Sequence, residues 1–460
     1  MRSRIPRILV SGIRGKIGKT TVVLGIIKGL VERGLRVQPF KVGPDFIDPS
    51  YHTLISGSVS RNIDSVMFSS ERLIHSFIRG TTNSDIAVIE GVLGLYDSPD
   101  GISEIGSSAY ISKLLKAPVI LILDAERINR GLQAILHGFL TFDKDVKIRG
   151  VILNNVANQK QAEKIASGIE KRFNDIEIIG LIMRDTKIEE SMSYRHLGLV
   201  HVSERENEHN EIISIANNVK AQLDIEKVIK IAKESDEIAC DCENDKFSSL
   251  NVRVGIIRDR AFSFYYPENL EFFHNIAKEV YYVDSINDHA LPDVDILIIG
   301  GGFPEVYADL LEKNKSLHNE IRMRSEKGMM IYAECGGLMY LANKIKTLNG
   351  NEYQMIGLID GDVEVVQRPV GHGYVYLDVI QDNPMSTSGT KIIGHEFHYS
   401  KLKLNERVSF AYHVTRGYGI DGIHDGILKN NILASYTHIH VNHNPTLFYN
   451  LLRHASHNKN

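Results

Sequence analysis

Cys335 stands at a sharp junction, Ile331-Tyr332-Ala333-Glu334-Cys335-Gly336-Gly337-Leu338, where an apolar strand should turn directly into a helix. A nucleophile elbow of this kind presents the side chain at the end of a strand, and the helix start that follows favours thiolate. The Gly336 N–H can donate to an oxyanion, and further donors are expected from Gly301 and Gly302, which follow the strand-like run Asp-Ile-Leu-Ile-Ile-Gly. A buried structural cysteine is the plainer alternative, but glycines flanking a strand-to-helix turn point to a nucleophile. The base would come from Ser435-Tyr436-Thr437-His438-Ile439-His440, read as a strand end with both histidines on one face. His395, Glu396 and His398 form another cluster, whose spacing allows a metal site but lacks an acceptable tetrahedral set for zinc.

A second group of reactive residues lies near the N-terminus. Gly12-Ile13-Arg14-Gly15-Lys16-Ile17-Gly18-Lys19-Thr20-Thr21 follows a strand and opens a helix. Gly15, Gly18 and the amides through Thr21 can face a phosphate, Lys19 can reach its outer oxygens, and the Thr20 hydroxyl can ligate Mg²⁺. The first glycine lies one position too far from the Gly-Lys pair for the standard spacing, so this is a variant phosphate loop that predicts ATP and Mg²⁺ binding. Arg14 occupies the place of a lysine that reaches across a dimer in partition-type ATPases. A homodimer is the corresponding expectation, and a solvated loop residue is the plainer one.

Lys41-Val42-Gly43-Pro44-Asp45-Phe46-Ile47-Asp48-Pro49-Ser50-Tyr51-His52 begins at the C-terminal end of the next strand, where open α/β sheets bind ligands. Lys41, Asp45, Asp48 and His52 could hold Mg²⁺ or position a charged substrate; a Pro- and Asp-rich turn is the alternative. The run Ile86 to Glu90 ends in a carboxylate, as a metal-holding strand end requires. Asp97 follows one short loop later, and Asp124 ends another strand on the same edge.

Positioning these groups needs parallel sheets. Apolar runs at Ile8 to Val10, Leu35 to Phe40, Ile86 to Glu90, Val119 to Asp124 and Val151 to Leu153 alternate with helix-length segments, one from Thr20 to Glu32. Continuous apolar strands joined by helices indicate a parallel sheet covered on both faces. The pattern lapses at Lys233 to Ser249, which is polar and acidic and reads as a linker holding Cys240 and Cys242 as solvated thiols. A second α/β series follows: Val252 to Ile257, Val280 to Val283, Ile296 to Ile299 and Met329 to Ala333. Residues 350–440 read as strand-rich. The expected organisation is residues 1–232, a linker at 233–250, and residues 251–460.

With 460 residues the chain exceeds one hydrophobic core, so two domains are the default. A net charge of -4 gives no general affinity for nucleic acid or acidic lipid. No apolar run reaches membrane-spanning length, and Met1 to Gly12 reads as a first strand rather than a leader. Three cysteines make no disulfide framework, so a cytoplasmic location is expected.

Taken together, the segments resemble the cobyrinate a,c-diamide synthase family over nearly the whole chain. The resemblance rests on KVGPDFIDPSYH, RNIDSVM (Arg61 to Met67), the run from Glu90 to Asp97, RHLGL (Arg195 to Leu199), FSFYYPENLE (Phe262 to Glu271), IIGGGFPE, IYAECGGLMYL, GHEFHYS and SYTHIH. It implies a P-loop synthetase domain similar to dethiobiotin synthetase, joined to a class I (triad-type) glutamine amidotransferase domain. The implied reaction is amidation of the a and c carboxylates of cobyrinate with ATP and L-glutamine, through an acyl phosphate. Ammonia made at the cysteine site is used at the synthetase site.

By position, the resemblance assigns Lys19, Thr20, Glu90 and Asp124 to nucleotide and Mg²⁺, and Asp45, Asp48, His52 and Asp97 to carboxylate activation. It makes Cys335 the nucleophile and His438 its base. His440 replaces the usual triad glutamate, which leaves the partner of His438 unassigned, and the loop carries the extra cations Arg14 and Lys16. Close relatives amidate nickel-sirohydrochlorin. A partition-type regulatory ATPase with an inactive glutaminase-like domain is the reading from another class.

Overall fold

The structure, a computed structural model, describes residues 1–185, 206–241 and 246–457. The chain folds into two units, Met1–Glu243 and Asn244–Asn460.

In the first unit the apolar runs become β1 (Arg7–Gly12), β2 (Val37–Val42), β3 (Arg61–Ile63), β4 (Ile86–Gly94), β5 (Val119–Asp124), β6 (Ile148–Val156) and β7 (Glu177–Met183). They form one sheet in the order β3-β2-β4-β1-β5-β6-β7, and every neighbouring pair is parallel. β1, β2 and β5 are almost wholly buried, as expected of strands covered on both faces. Helix α1 (Lys19–Glu32) buries Val22, Val23, Leu24, Ile26, Ile27 and Leu30. Its Gly25 and Gly29 lie against Val219 and Ile225, in α3 (Glu206–Lys220) and α4 (Ile225–Ala232). Helix α2 (Ile47–Ser56) follows β2.

Register then does the chemical work. The second strand runs two residues beyond the expected Leu35 to Phe40, so Lys41 is a strand residue paired across the ladder with Glu90. On the other side of β4, Val10 pairs with Glu90, which places the phosphate loop next to that carboxylate.

The stretch expected to be a solvated linker belongs largely to this unit. Ile238–Ala239 pairs antiparallel with Arg2–Ser3. Arg7 is fully buried and needs acceptors; it donates to the carbonyls of Leu115, Ile5 and Asp236. Cys240 is buried, with its sulfur 3.4 Å from the Glu71 carbonyl oxygen. It is therefore not a solvated thiol: the apolar Ile238 and the unmet needs of Arg7 draw the segment inward. Cys242 and the segment from Arg195 to Leu199 lie outside the described residues.

The second unit is built on β8 (Leu250–Ile257), β9 (Ala277–Val283), β10 (Ile296–Ile299), β11 (Met330–Glu334), β12 (Lys344–Lys346), β13 (Glu352–Gln354), β14 (Gly361–Val365), β15 (Gly371–Val379), β16 (Lys391–His398), β17 (Ser400–Leu404), β18 (Ser409–Arg416), β19 (His424–Lys429) and β20 (Ile432–Ser435). The main sheet has the order β9-β8-β10-β11-β20-β19-β18-β15-β16, and β13-β12-β14-β17 form a smaller one. From β9 to β20 the pairings are parallel; from β20 to β16 they are antiparallel. The strand-rich region is thus the antiparallel half together with the small sheet.

One expectation fails here. His438 and His440 do not share a strand face, because β20 ends at Ser435. The fully buried Asp425 carboxylate accepts from the N–H groups of Gly426 (2.9 Å), Tyr436 (3.0 Å) and Thr437 (3.1 Å), and from the Thr437 hydroxyl (2.6 Å). Those bonds divert the backbone from the ladder, and His438 keeps a single antiparallel bridge to His395. Removing this acceptor would leave several buried donors unmet, at about 1–3 kcal/mol each. We expect Asp425→Ala to lower the stability of the second unit by about 3 kcal/mol in urea unfolding; a loss under about 1 kcal/mol would show that the carboxylate does not organise this turn.

Candidate functional site

In the first unit the phosphate loop ends at Gly18, whose left-handed backbone (φ 82°) caps α1. A Cβ at Gly18 would lie 2.8 Å from the Asn154 side-chain amide, which donates to Ile17 O at 2.9 Å. Gly15, Lys16 and Thr21 flank this turn, with Lys16 exposed. Lys19 is buried and its ammonium donates to Leu93 O at 2.5 Å. The Thr20 hydroxyl donates to Glu90 Oε1 at 2.8 Å.

Glu90 is the centre of a buried network. Lys41 donates to Glu90 Oε1 at 2.7 Å and also to Asp48, while Asp45 lies 3.8 Å away. His52 Nε2 is 2.6 Å from Glu90 Oε2, and its Nδ1 is 3.3 Å from the Ser60 hydroxyl. Asn62 fixes the loop by donating to the carbonyls of Gly43 and Asp45, each at 2.8 Å. Asp97 accepts from Gly94 N–H at 2.8 Å, and a Cβ at Gly94 would come within 3.2 Å of the Arg14 backbone. Asp45, Asp48 and Asp97 are thus assembled around the phosphate loop. Asp124 is engaged differently: it meets the exposed Arg14 at 2.6 Å and accepts from Asn155 at 3.2 Å. Arg14 therefore has its partner within the same chain.

Charge follows geometry. Burial alone would lower the Lys41 ammonium, but Asp48, Glu90 and Asp45 outweigh it and hold it charged. Burial would raise Glu90, yet Lys41 and His52 hold it well below the ordinary carboxylate range. Asp45 is pushed up to about 7 by burial and by the charge of Asp48. Lys19 is pushed down to about 8, first by burial and then by the charge of Lys41.

Among the described residues no group of three or more His, Cys, Asp or Glu side chains is arranged to hold a metal unaided. Thr20 and Glu90 nevertheless supply hard oxygen donors side by side, with Asp48 reached through Lys41. That set fits Mg²⁺, which keeps several waters and takes its remaining ligands from phosphates.

In the second unit Cys335 has φ 50° and ψ -104°, a strained conformation at the start of the short helix α5 (Gly336–Leu341). Its N–H donates to Ser435 O at 2.7 Å, fixing the elbow beside the end of β20. The glycines before α5 are there for close approach. A Cβ on Gly301 would meet His438 Cε1 at 2.4 Å, and one on Gly302 would sit 2.0 Å from Ala261 O. A Cβ on Gly336 would lie 3.1 Å from Gly302 N, so the glycine turn packs directly against the residue after Cys335.

The elbow does not favour thiolate as the sequence suggested. Burial and then the charge of Glu305 push the Cys335 thiol up, against a hydrogen bond from Gly336 N–H. A helix of six residues is too weak a counterweight. Glu334 escaped the sequence reading. Its Oε2 lies 3.4 Å from His438 Nδ1, and its Oε1 accepts from Tyr332 OH at 2.6 Å and Ile439 N–H at 3.1 Å. It stands where a triad acid orients the imidazole. His440 is turned away, 3.4 Å from Glu268 and packed on Tyr266. Of the other cluster, His398 stacks on Tyr436, Glu396 accepts from the N–H groups of Tyr418 and Gly419, and Phe397 O lies 3.8 Å from Cys335 Sγ.

Two domain families match the chain: the CobQ/CobB/MinD/ParA nucleotide binding domain over residues 8–197, and the CobB/CobQ-like glutamine amidotransferase domain over residues 253–446. A cobyrinate a,c-diamide synthase of Archaeoglobus fulgidus is 44% identical over 438 residues, covering 95% of this chain and 94% of that protein. Proteins of the same name from Methanobrevibacter smithii and Magnetococcus marinus are each 40% identical, covering 97% and 96% of this chain and 98% and 95% of their own lengths. No described helix is long and apolar enough to cross a membrane.

Two expectations follow. Glu334→Gln keeps the shape of the site but removes the charge that steadies His438, so glutamine hydrolysis should fall about 10²–10⁴-fold while ammonium-driven synthesis persists. Unchanged hydrolysis would leave His438 without need of that carboxylate. Deprotonating Lys19 removes a cation from the phosphate site, so ATP affinity should weaken as pH rises through about 8. In titration calorimetry Lys19→Met should lose that dependence; an identical pH profile in the variant would assign it to another group.

Proposed function

The chain belongs to the cobyrinate a,c-diamide synthase family of glutamine-dependent amidating ligases, and on that premise we propose that it amidates the a and c carboxylates of cobyrinate in cobalamin biosynthesis. Glutamine or free ammonia supplies the nitrogen, and ATP activates each carboxylate as an acyl phosphate. Ammonia then attacks the acyl carbon and inorganic phosphate leaves.

The observation that carries the reading is the pairing of two buried lysines beside the phosphate loop. Lys41 and Thr20 of the loop both meet Glu90 Oε1, and Lys19 is pushed down first by burial and then by the charge of Lys41. A site where polyanionic ATP and a substrate carboxylate converge needs such cations to offset repulsion. Lys19 then serves the outer phosphates, while Lys41 sits among Asp45, Asp48 and Glu90 at the place of transfer. Thr20 and Glu90, with Asp48 nearby, would hold Mg²⁺, which would supply further positive charge to the phosphates. Asp97, which accepts from Gly94 N–H one residue beyond the Leu93 carbonyl that Lys19 meets, belongs to the same activating site. In the second unit Cys335 attacks the glutamine amide, His438 carries the proton, and Gly301, Gly302 and Gly336 receive the oxyanion.

Incubation with ATP, Mg²⁺, glutamine and either cobyrinate or nickel-sirohydrochlorin, read by mass spectrometry, tests the proposal. We expect two amides on cobyrinate; amidation of the nickel macrocycle alone would overturn the substrate assignment. Cys335→Ser should abolish product from glutamine and keep product from high ammonium. Asp48→Asn should lower synthesis far more than glutamine hydrolysis, by roughly 10²-fold or more, and equal losses would place Asp48 outside the activating site.

A further inference from the structure

Three carboxylates contribute charge that raises the Cys335 thiol: Glu305, Glu334 and Glu396, with Glu305 contributing most. Two of them are spoken for. Glu334 has Tyr332, Ile439 and His438, and Glu396 has the backbone of Tyr418 and Gly419.

Glu305 is different. The residue keeps some exposure, but its Oε2 is sealed from solvent and has no hydrogen-bond partner among the described residues. Burial pushes its carboxyl up to about 7, and no cation among the described residues offsets that shift. It follows Pro304, whose ring would be met at 3.0 Å by a Cβ on Gly336, the residue after the nucleophile. The turn is held by Val306 N–H donating to Phe303 O at 3.1 Å. A buried carboxyl whose opposing contact is its own backbone N–H is costly to ionise unless a cation meets it. The second unit's substrate brings one: free glutamine carries an α-ammonium at its far end from the amide.

We propose that Glu305 binds the α-ammonium of glutamine and so selects the free amino acid over other primary amides. The inference rests on reading Cys335 as the glutaminase nucleophile. On this account the pair forms as glutamine docks, and its charge neutralises the carboxylate that otherwise opposes the thiolate. Substrate binding and nucleophile activation are thereby coupled at one residue.

The probe is glutaramate, which is glutamine without its α-amino group. In the full-length protein, kcat/KM for glutamine should exceed that for glutaramate by at least about 10²-fold. In Glu305→Gln that preference should fall below about tenfold, with most of the glutamine loss in KM, while the unfolding transition overlays that of the wild type. A purely structural role would depress both substrates alike and leave the ratio intact, which overturns the proposal. If the variant does not fold, the wild-type ratio decides: comparable hydrolysis of the two amides also overturns it. Hydrolysis of neither would remove the glutaminase reading itself, and the Glu305 assignment with it.

Discussion

Removing a lysine ammonium from water costs several kcal/mol unless carboxylates meet it in the interior. Lys41 is met by Asp48 and Glu90, with Asp45 at 3.8 Å. Most of the first unit's site follows from that arrangement. Glu90 must stay ionised to balance Lys41, so His52 and Thr20 are drawn to its two oxygens. Asp48 must reach Lys41, so α2 starts immediately after the loop that carries Asp45. Burial, and then the charge of Lys41, push Lys19 down to about 8. A single buried cation thus ties nucleotide binding to the place where a carboxylate would be activated.

The second unit applies the opposite logic. Burial first, and then the charges of Glu305, Glu334 and Glu396, push the Cys335 thiol up. The glycine turn and the imidazole of His438 are packed together in advance, whereas on the Glu305 proposal the charge balance waits for substrate. On the Glu305 proposal, such a site limits thiolate chemistry in the absence of glutamine.

Local chemistry was legible in the sequence; pairing across long separations was not. The phosphate loop, the strand that carries Glu90 and the Cys335 elbow each declare themselves within about ten residues, because glycine placement and apolar runs are local signals, although that strand runs on to Gly94 instead of ending at Glu90. Lys41 was visible as a residue but not as a partner of Glu90, since that depends on ladder register. Glu334 could have been suspected from its place before Cys335, yet its contact with His438 is set by a turn that Asp425 creates from another strand. The same turn explains why alternating histidines misled: period-two spacing predicts a shared face only while the chain stays extended. The acidic linker misled for a related reason, because one apolar residue and the buried Arg7 outweigh its polar composition.

In the proposed reaction, transfer of a phosphoryl group onto the substrate carboxylate is the step that Lys41, Glu90 and the phosphate loop would serve. Cobyrinate carrying heavy oxygen in its carboxylates, turned over with ATP and glutamine, reports that step in the phosphorus NMR spectrum of the released phosphate. The account predicts one heavy oxygen in phosphate for each amide formed, with ADP as the nucleotide product. Phosphate free of label, with amide formed at the normal rate, would contradict it.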